Sequence, residues 1–453
     1  MATTGQQTPP HMTDTAPTPE ADPSAAALEE AASQEFEAGA CAKALALQRQ
    51  ALGLHVAHHR LADQARCHLS IGYLSFLLRD HAGAHQAYRA AIRLRESLKD
   101  CHGAAVGWER LAELHQHMGD HQAALHAFDQ ALACLRRCGA LKDLGTVLNN
   151  KAVSHREIGQ RAQAMQCQER ALEIRHELGD NEGLAASLHN LGVLHADAGA
   201  HEAAAASLEQ ARELRESLGD RSGLASTELH IGVLHEQQGD FEQAAKAYEG
   251  VIAACAALPP HDGRTLAAAL CNLGGLMVAR GEAAGAMPLL ERARGLLQES
   301  VETPGLAYVE YHLGLARIAQ GDVDGGLAAL TKAQDIQQAC GDIRQLSATL
   351  SAKAWVDVRL RRFASAEPLL RQALDIQQRL DEHGARVHTL RLLGDCLAGQ
   401  GHIEAAQQCH TQAEHLAMLL SLPLPSADAQ AGRPDAAPAT ALAAVNGVRR
   451  VLQ

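Results

Sequence analysis

The sequence repeats itself with a period of 40 residues. The stretch from Leu191 to His195 aligns with the stretch from Ile231 to His235, and the correspondence continues in both directions. A small residue recurs at this spacing, with one slip of two residues near Pro259-Pro260. Its ten positions are Ala32, Gly72, Ala112, Ala152, Gly192, Gly232, Gly274, Gly314, Ala354 and Gly394. Such a period predicts a solenoid, in which similar units stack and bury one continuous apolar stripe.

Each repeat predicts two helices joined by a tight turn. Seven residues after the small position, eight repeats carry Gly, which favours a left-handed backbone, and the other two carry Arg79 and Arg361. Ala recurs twelve and nineteen residues after the small position, with Gly326 and Val251 as the exceptions. Small side chains at fixed places allow two helices to approach closely. The sequence therefore predicts an all-α chain of about ten helical hairpins.

This pattern of a small residue, a Gly turn and two alanines resembles the tetratricopeptide repeat (TPR) in a 40-residue form, over about residues 25 to 420. The stretch from Ala366 to Leu374 and the Asn-Leu-Gly triplets at 190–192 and 272–274 are similar to the repeats of kinesin light chains and spindle-orientation adaptors. The resemblance implies a right-handed superhelical solenoid. It also implies that the matching asparagines contact a bound peptide.

Composition and period divide the chain into four segments. Residues 1–24 form an N-terminal tail that we expect to be disordered, because a Pro/Ala/Thr-rich segment buries little apolar surface. Repeats one to six occupy residues 25–258 and repeats seven to ten occupy residues 259–421, and Pro259-Pro260 is either a joint or a longer loop. Residues 422–453 form a Pro/Ala-rich tail with a short C-terminal helix candidate. That helix either docks on the solenoid, as a cap or a groove plug, or stays frayed.

Charge and hydropathy disfavour several classes of protein. The formal net charge is −13 and no basic block is present, which argues against a nucleic-acid partner. No window approaches the roughly 20 apolar residues of a membrane helix, and the N-terminus lacks the features of a secretory signal. We therefore expect a cytoplasmic protein without a membrane partner. Eleven cysteines without a Cys-x-x-Cys pair predict reduced, buried thiols.

The residue patterns favour neither a catalytic site nor a metal site. The sequence contains no phosphate-binding P-loop, no zinc-protease helix motif and no nucleophile elbow, so we expect a protein without enzymatic activity or cofactor. Stacked helices lie about 8–10 Å apart, whereas a shared zinc needs ligand nitrogens about 2.0–2.1 Å from the metal. For four histidines at one repeat position, packing is thus favoured over a metal site. Two other groups of histidines lack a further ligand that would complete a metal site. These sets are His115, His155, His195 and His235; His81 and His85; and His55, His58 and His59.

A candidate binding groove follows from helical geometry. At 100° per residue, the residues three and two before the small position, and those one, four and five after it, share the face opposite the partner helix. Amides on this face offer the donors and acceptors that an extended peptide backbone requires, acids select charge, and valines form an apolar floor. Alternatively, these side chains merely solubilise a helix face. The candidates are Arg110, Glu113, Asn149, Asn150, Glu157, His189, Asn190, Val193, Asp197, His230, Val233, Glu236 and Asn272.

The sequence thus predicts a non-enzymatic scaffold or adaptor that binds a peptide or a partner helix in a concave groove. One alternative is a peptide-sensing regulatory protein, in which a bound peptide closes the solenoid about Pro259-Pro260. A less favoured alternative is a His-rich metal-binding protein, which would hold zinc in stoichiometric amount.

Overall fold

A computed structural model describes residues 23–256, 263–300, 303–380 and 382–419 of the 453-residue chain. Within these ranges the secondary structure consists of twenty α-helices without a β-strand. Pro259-Pro260, nearly all of the N-terminal tail and the whole C-terminal segment 422–453 lie outside the described residues, and so do the joint and the docking helix predicted there.

The helices divide between two compact units that meet in sequence at Gly219 and Asp220. The N-terminal unit contains α1 (Pro23–Glu37), α2 (Cys41–Ala57), α3 (Leu61–Leu77), α4 (His81–Ser97), α5 (Cys101–His117), α6 (His121–Cys138), α7 (Leu141–Glu157), α8 (Arg161–Leu178), α9 (Asn181–Asp197) and α10 (His201–Leu218). The C-terminal unit contains α11 (Arg221–Gln237), α12 (Phe241–Ala256), α13 (Gly263–Ala279), α14 (Ala283–Ser300), α15 (Thr303–Ala319), α16 (Val323–Cys340), α17 (Ile343–Arg359), α18 (Phe363–Arg379), α19 (His383–Gly399) and α20 (Ile403–Leu419).

Every odd-numbered helix packs against the even-numbered helix that follows it, so each unit contains five hairpins. Within a unit, each hairpin also packs against its neighbour along the chain. The all-α fold and the ten predicted hairpins are therefore confirmed.

The turn inside each hairpin has the left-handed backbone that the sequence predicts. All eight glycines seven residues after the small position have φ between 75° and 88°. Arg79 and Arg361 occupy the same turn with φ of 61° and 57°. The turn geometry therefore belongs to the repeat as a whole and is kept even where glycine is absent.

Aspartate side chains begin many of the helices. The carboxylate of Asp80 accepts a hydrogen bond from the backbone N–H of Gly83 at 2.8 Å, and Asp180 accepts one from Gly183 at 3.2 Å. Such a cap satisfies a backbone donor that the helix itself leaves free, and it contributes about 0.5–2 kcal/mol. The same contact begins the helices after Asp100, Asp120, Asp220, Asp322 and Asp342.

The core of each hairpin depends on one close contact. The small residue of the first helix lies beneath the side chain sixteen residues later on the second helix. A Cβ added to Gly232 would lie 2.7 Å from Tyr248 Cε1, and one added to Gly192 would lie 2.7 Å from Leu208 Cγ. The small position and the two following alanine positions are buried in every repeat. The residues that carry the sequence period are therefore the residues that the two helices share.

Two other sequence predictions concern thiols and membranes. All eleven cysteines are free thiols, as predicted. The predicted burial holds for five of them, whereas five others are half-buried and Cys138 is exposed at the end of α6. Within the described part of the chain, no helix combines the length and the apolar character needed to cross a lipid bilayer.

The hairpin contact can be tested with two glycines of one hairpin. Gly232→Ala places a methyl group against the Tyr248 ring and should lower the free energy of unfolding by about 1–3 kcal/mol through overpacking. Gly250 lies in α12 with no atom near its missing Cβ, so Gly250→Ala should raise that free energy by about 0.5–1 kcal/mol. Urea unfolding of both variants measures the difference. Equal effects of the two substitutions would contradict the proposed contact.

Candidate functional site

The predicted binding residues lie on one face of the first helices, which we call the inner face. In the N-terminal unit, this face includes Glu113, Asn190 and Asp197, which are half-buried, and Glu157, which is exposed. Asn149 and Asn150 are each only 5% exposed, so a ligand meets the half-buried side chains first. Also on this face, Arg110 is half-buried, whereas His189 and Val193 are buried.

The asparagines of the N-terminal unit form a chain of hydrogen bonds across three helices, which we call the amide ladder. Asn190 Nδ2 in α9 donates to Asn149 Oδ1 in α7 at 2.9 Å, and Asn149 Nδ2 donates to Asn150 Oδ1 at 3.4 Å. Asn150 Nδ2 in turn donates to Glu109 Oε1 in α5 at 3.4 Å. Gln116 Nε2 also donates to the carbonyl oxygen of Asn150 at 3.0 Å.

The amide ladder has a structural role of its own. A buried amide costs free energy unless it is hydrogen-bonded, and here the amides of successive repeats satisfy one another. Of the three asparagines, Asn149 and Asn150 are removed from water, whereas Asn190 keeps part of its surface. The ladder therefore joins α5, α7 and α9 and presents one amide at its accessible end.

Charged side chains lie on the same face as the ladder. Arg110 pairs with Glu113 at 2.7 Å, and Arg156 pairs with Glu157 at 2.7 Å. Arg156 also lies 3.9 Å from Asp197. Three carboxylates thus accompany two guanidinium groups, and Glu109 adds a fourth carboxyl group. The balance is acidic.

Glu109 is the carboxyl group that its surroundings perturb most strongly in this region. Burial raises its pKa well above the ordinary range, and the nearby charge of Glu113 raises it further, while Arg110 acts in the opposite direction. An acid held in this way keeps its proton at a higher pH than a solvated glutamate. The inner face therefore gains negative charge as the pH rises through neutrality.

The predicted residues of the C-terminal unit are arranged differently. His230, Val233 and Glu236 are half-buried, and Glu236 accepts a hydrogen bond from the hydroxyl of Tyr248 at 2.9 Å. Asn272 is buried, and its Oδ1 has no hydrogen-bond partner among the described residues. Glu236 is thus the acid that this unit offers at its surface among the predicted residues.

Two of the four repeated histidines, His115 and His155, contact side chains of neighbouring elements. His155 Nδ1 lies 2.7 Å from Gln160 Oε1, and the ring of His115 packs edge-on against His85 with 5.6 Å between ring centroids. Burial lowers the pKa of both His115 and His155. His81, by contrast, packs near His117, so His81 and His85 contact different rings. These contacts are those of packed side chains.

A group of three metal-ligand types lies elsewhere, at Glu29, His55 and Cys67. Their ligand atoms all lie within 4.8 Å of one another, and no other such trio occurs among the described residues. His55 Nε2 is 2.7 Å from Glu29 Oε1, while Arg66 donates two hydrogen bonds to the same carboxylate. The guanidinium already neutralises the carboxylate, so the group acts as an ion-paired link between α1, α2 and α3.

Sequence reasoning grouped His55 with its neighbours His58 and His59 and did not predict this link. The three residues are 26 and 12 positions apart, which does not match the period of 40. The only available signal was chemical, namely that Glu29, His55 and Cys67 are polar residues on helix faces that otherwise carry alanine and leucine.

Two family models match parts of this chain. A family model of the tetratricopeptide repeat matches residues 103–177, 143–217 and 348–417, and a second model of that repeat matches residues 227–255. A comparison with curated protein sequences gives no match.

Several solved structures are similar to this chain. A Rap protein complexed with competence and sporulation factor has 16% identity and a TM-score of 0.57, covering 79% of this chain and 98% of that chain. BtubC (BKLC) from P. vanneervenii has 23% identity and a TM-score of 0.42, covering 49% and 92%. Putative kinesin light chain repeats from Podosopora anserina have 16% identity and a TM-score of 0.38, covering 42% and 95%.

The amide ladder can be tested by a double-mutant cycle. Asn149→Ala should lower the free energy of unfolding by about 1–3 kcal/mol, because it leaves the buried amide of Asn150 and the donor of Asn190 without their partner. Asn149→Ala combined with Asn190→Ala should show a coupling energy of about 0.5 kcal/mol or more. Exposed Asn181 provides the control, and its replacement by Ala should change stability by less than about 0.5 kcal/mol. Additive effects of the paired substitutions would contradict the ladder.

The perturbed carboxyl group predicts a pH dependence of stability. Because the pKa of Glu109 is higher in the folded state than in the unfolded chain, the folded state binds the extra proton between those two values. Its contribution to stability is therefore fully present below about pH 4, the range of an unfolded glutamate, and falls as the pH rises through the folded pKa. Between about pH 5 and about pH 9, the free energy of unfolding in urea should fall less for Glu109→Gln than for the unmodified protein. An identical decline in both proteins would contradict this assignment.

Proposed function

This chain belongs to the tetratricopeptide repeat family, and we propose that it is a non-catalytic scaffold that binds a basic, extended segment of a partner protein. The binding surface is the inner face of α5, α7 and α9. Stacked helical repeats of this kind generally present extended surfaces to partner proteins. The observation that carries the proposal is the excess of acidic side chains on this face, which also presents Asn190, the accessible end of the amide ladder.

Asn190 is suited to hold the backbone of a bound segment. Its Nδ2 group donates to Asn149, while its Oδ1 atom has no donor among the described residues. Because Asn149 already holds this amide in place, Asn190 loses little conformational entropy when its Oδ1 atom accepts a hydrogen bond from an N–H group of a ligand. This favours binding. Asn149 and Asn150 contribute by positioning Asn190, since their own amides are buried.

The charges of this face favour a basic segment. Glu113 and Asp197 are half-buried and Glu157 is exposed, so all three carboxylates keep accessible surface. Only two guanidinium groups, those of Arg110 and Arg156, pair with these three acids. Lysine or arginine side chains of a partner would gain attraction from them, and an acidic segment would be repelled. Val153, which is half-buried, supplies apolar surface on the same face.

The structural comparison supports the proposal at the level of the fold. A Rap protein of the same fold is described in complex with competence and sporulation factor. A peptide-sensing regulatory role is the corresponding alternative for this chain. It requires that the bound segment changes the binding of a second protein, whereas a scaffold holds both independently.

A random peptide library displayed on phage tests the proposal directly. Peptides selected on the full-length protein should be rich in Lys and Arg. Glu113→Gln and Asp197→Asn should each weaken their binding by about two- to fivefold, as expected for partly exposed charge pairs. Asn190→Ala should weaken it by about fivefold or more through loss of a backbone hydrogen bond. Fluorescence anisotropy of a labelled selected peptide measures each dissociation constant.

A matched control removes the same charge from another surface. Glu177 is exposed on α8, a second helix that does not contribute to the inner face, so Glu177→Gln should leave the affinity unchanged. If the inner-face variants bind the selected peptides as tightly as Glu177→Gln does, the peptide site lies elsewhere and the proposal fails.

A further inference from the structure

A cavity of about 750 Å³ lies in the N-terminal unit between α2, α3 and α4. From α3 it is lined by His68, Ile71 and Ser75, which lie on the side of that helix opposite the inner face. Its volume is within the range of roughly 300–1,000 Å³ that is typical of small-molecule sites. The cavity is therefore separate from the proposed peptide site and has the size of a ligand pocket.

Three arginines line this cavity without an acidic partner. Arg49 comes from α2, and Arg89 and Arg93 come from α4. None of the three forms an ion pair among the described residues, although the chain as a whole has a net charge of −13. All three arginines are exposed to solvent, so they are available to an anion.

The carboxylates near the cavity are scarce and already used. Helices α2 and α4 together contain five Lys and Arg residues and a single acid, Glu96. On α3, Asp63 pairs with Arg66 at 2.8 Å, and Asp80 caps α4 by accepting from Gly83. The positive charge of the cavity is therefore not cancelled by its own walls.

Ser75 provides an independent sign of a ligand. Its side chain lines the cavity and is 0% exposed, and its hydroxyl has no hydrogen-bond partner among the described residues. A buried hydroxyl without a partner costs free energy, and native proteins rarely leave one unsatisfied. A bound acceptor oxygen would satisfy it.

Other lining groups indicate the shape and chemistry of the ligand. Leu52, Ile71 and Ala87 form an apolar wall beside the polar groups. Burial lowers the pKa of His68, and the positive charge of Arg93 lowers it further, which places Arg93 close enough to act on that ring. The pocket thus combines cations, a hydroxyl donor and an apolar surface.

We propose that this cavity binds a small organic phosphate monoester, with the phosphate held by Arg49, Arg89, Arg93 and Ser75 and the organic group packed on Leu52 and Ile71. Guanidinium groups match phosphate oxygens in bidentate geometry, and each such hydrogen bond is strengthened by charge. A phosphate monoester offers three terminal oxygens and up to two negative charges, whereas a carboxylate offers two oxygens and one charge. Three cations with an additional hydroxyl donor favour the phosphate.

Isothermal titration of the full-length protein with phenyl phosphate tests this site. Phenyl phosphate should bind more tightly than inorganic phosphate, which lacks the apolar group, and more tightly than benzoate, which carries a single charge. Arg89→Gln and Arg93→Gln should each raise its dissociation constant by about tenfold, because each removes a charge-assisted hydrogen bond. Benzoate or inorganic phosphate binding as tightly as phenyl phosphate would overturn the ligand assignment.

Two further variants separate binding from folding. Arg136 is exposed on α6, so Arg136→Gln removes the same charge away from the cavity and should leave the affinity unchanged. Ser75→Ala should weaken phenyl phosphate binding severalfold while leaving the melting temperature of the ligand-free protein unchanged or higher. Unaltered affinity in Ser75→Ala and in both arginine variants would overturn the proposal, and so would an equal loss in Arg136→Gln. The selected peptides bind a different face, so their affinity reports on the proposed function separately.

Discussion

The close contact between the two helices of a hairpin is the interaction on which the remaining structure depends. A large side chain of the second helix lies directly on a residue without, or nearly without, a side chain on the first helix, as Tyr248 does on Gly232. The contact sets both the separation and the rotation of the helices. Because the same residues of the first helix always face the partner helix, the opposite residues always form the inner face. A single packing constraint, repeated through each unit, therefore determines which side chains a ligand can reach.

The hairpins were predictable from the sequence because each of their features depends on one residue type at one position. The left-handed turns carry Gly39 or an equivalent glycine in eight of the ten repeats, and the helix contacts carry small residues; both recur every 40 residues. The state of the polar side chains was less predictable. Asn149 and Asn150 share the inner-face register with Asn190, yet they are buried because side chains of the neighbouring first helices cover them. Periodicity identifies the face of a helix, whereas burial also depends on what the adjacent repeat places against it.

The link between Glu29, His55 and Cys67 shows the same limit more clearly. These residues occupy unrelated positions of the first two repeats, so no period connects them, and only the folded chain brings them within 4.8 Å. The arginine cavity also depends on sequence differences between repeats. At the position of Arg93 in α4, the equivalent residue of α6 is Ala133. Features shared by all repeats build the scaffold, and departures from the repeat supply the distinctive chemistry.

The N-terminal unit carries opposite charges on its two surfaces, and net charge alone conceals this arrangement. The inner face collects Glu113, Glu157 and Asp197, while the cavity between α2, α3 and α4 collects unpaired arginines. The arginines lack acidic partners, whereas Arg110 and Arg156 pair with the inner-face acids and leave a smaller excess of negative charge. Like charges held together repel one another, and a ligand or partner of opposite charge reduces that repulsion. The alanines and the large side chains of the hairpins already fill the core, so packing requires neither group of charges. The proposed basic ligand at the inner face and the proposed anionic ligand at the cavity would each compensate one of these groups.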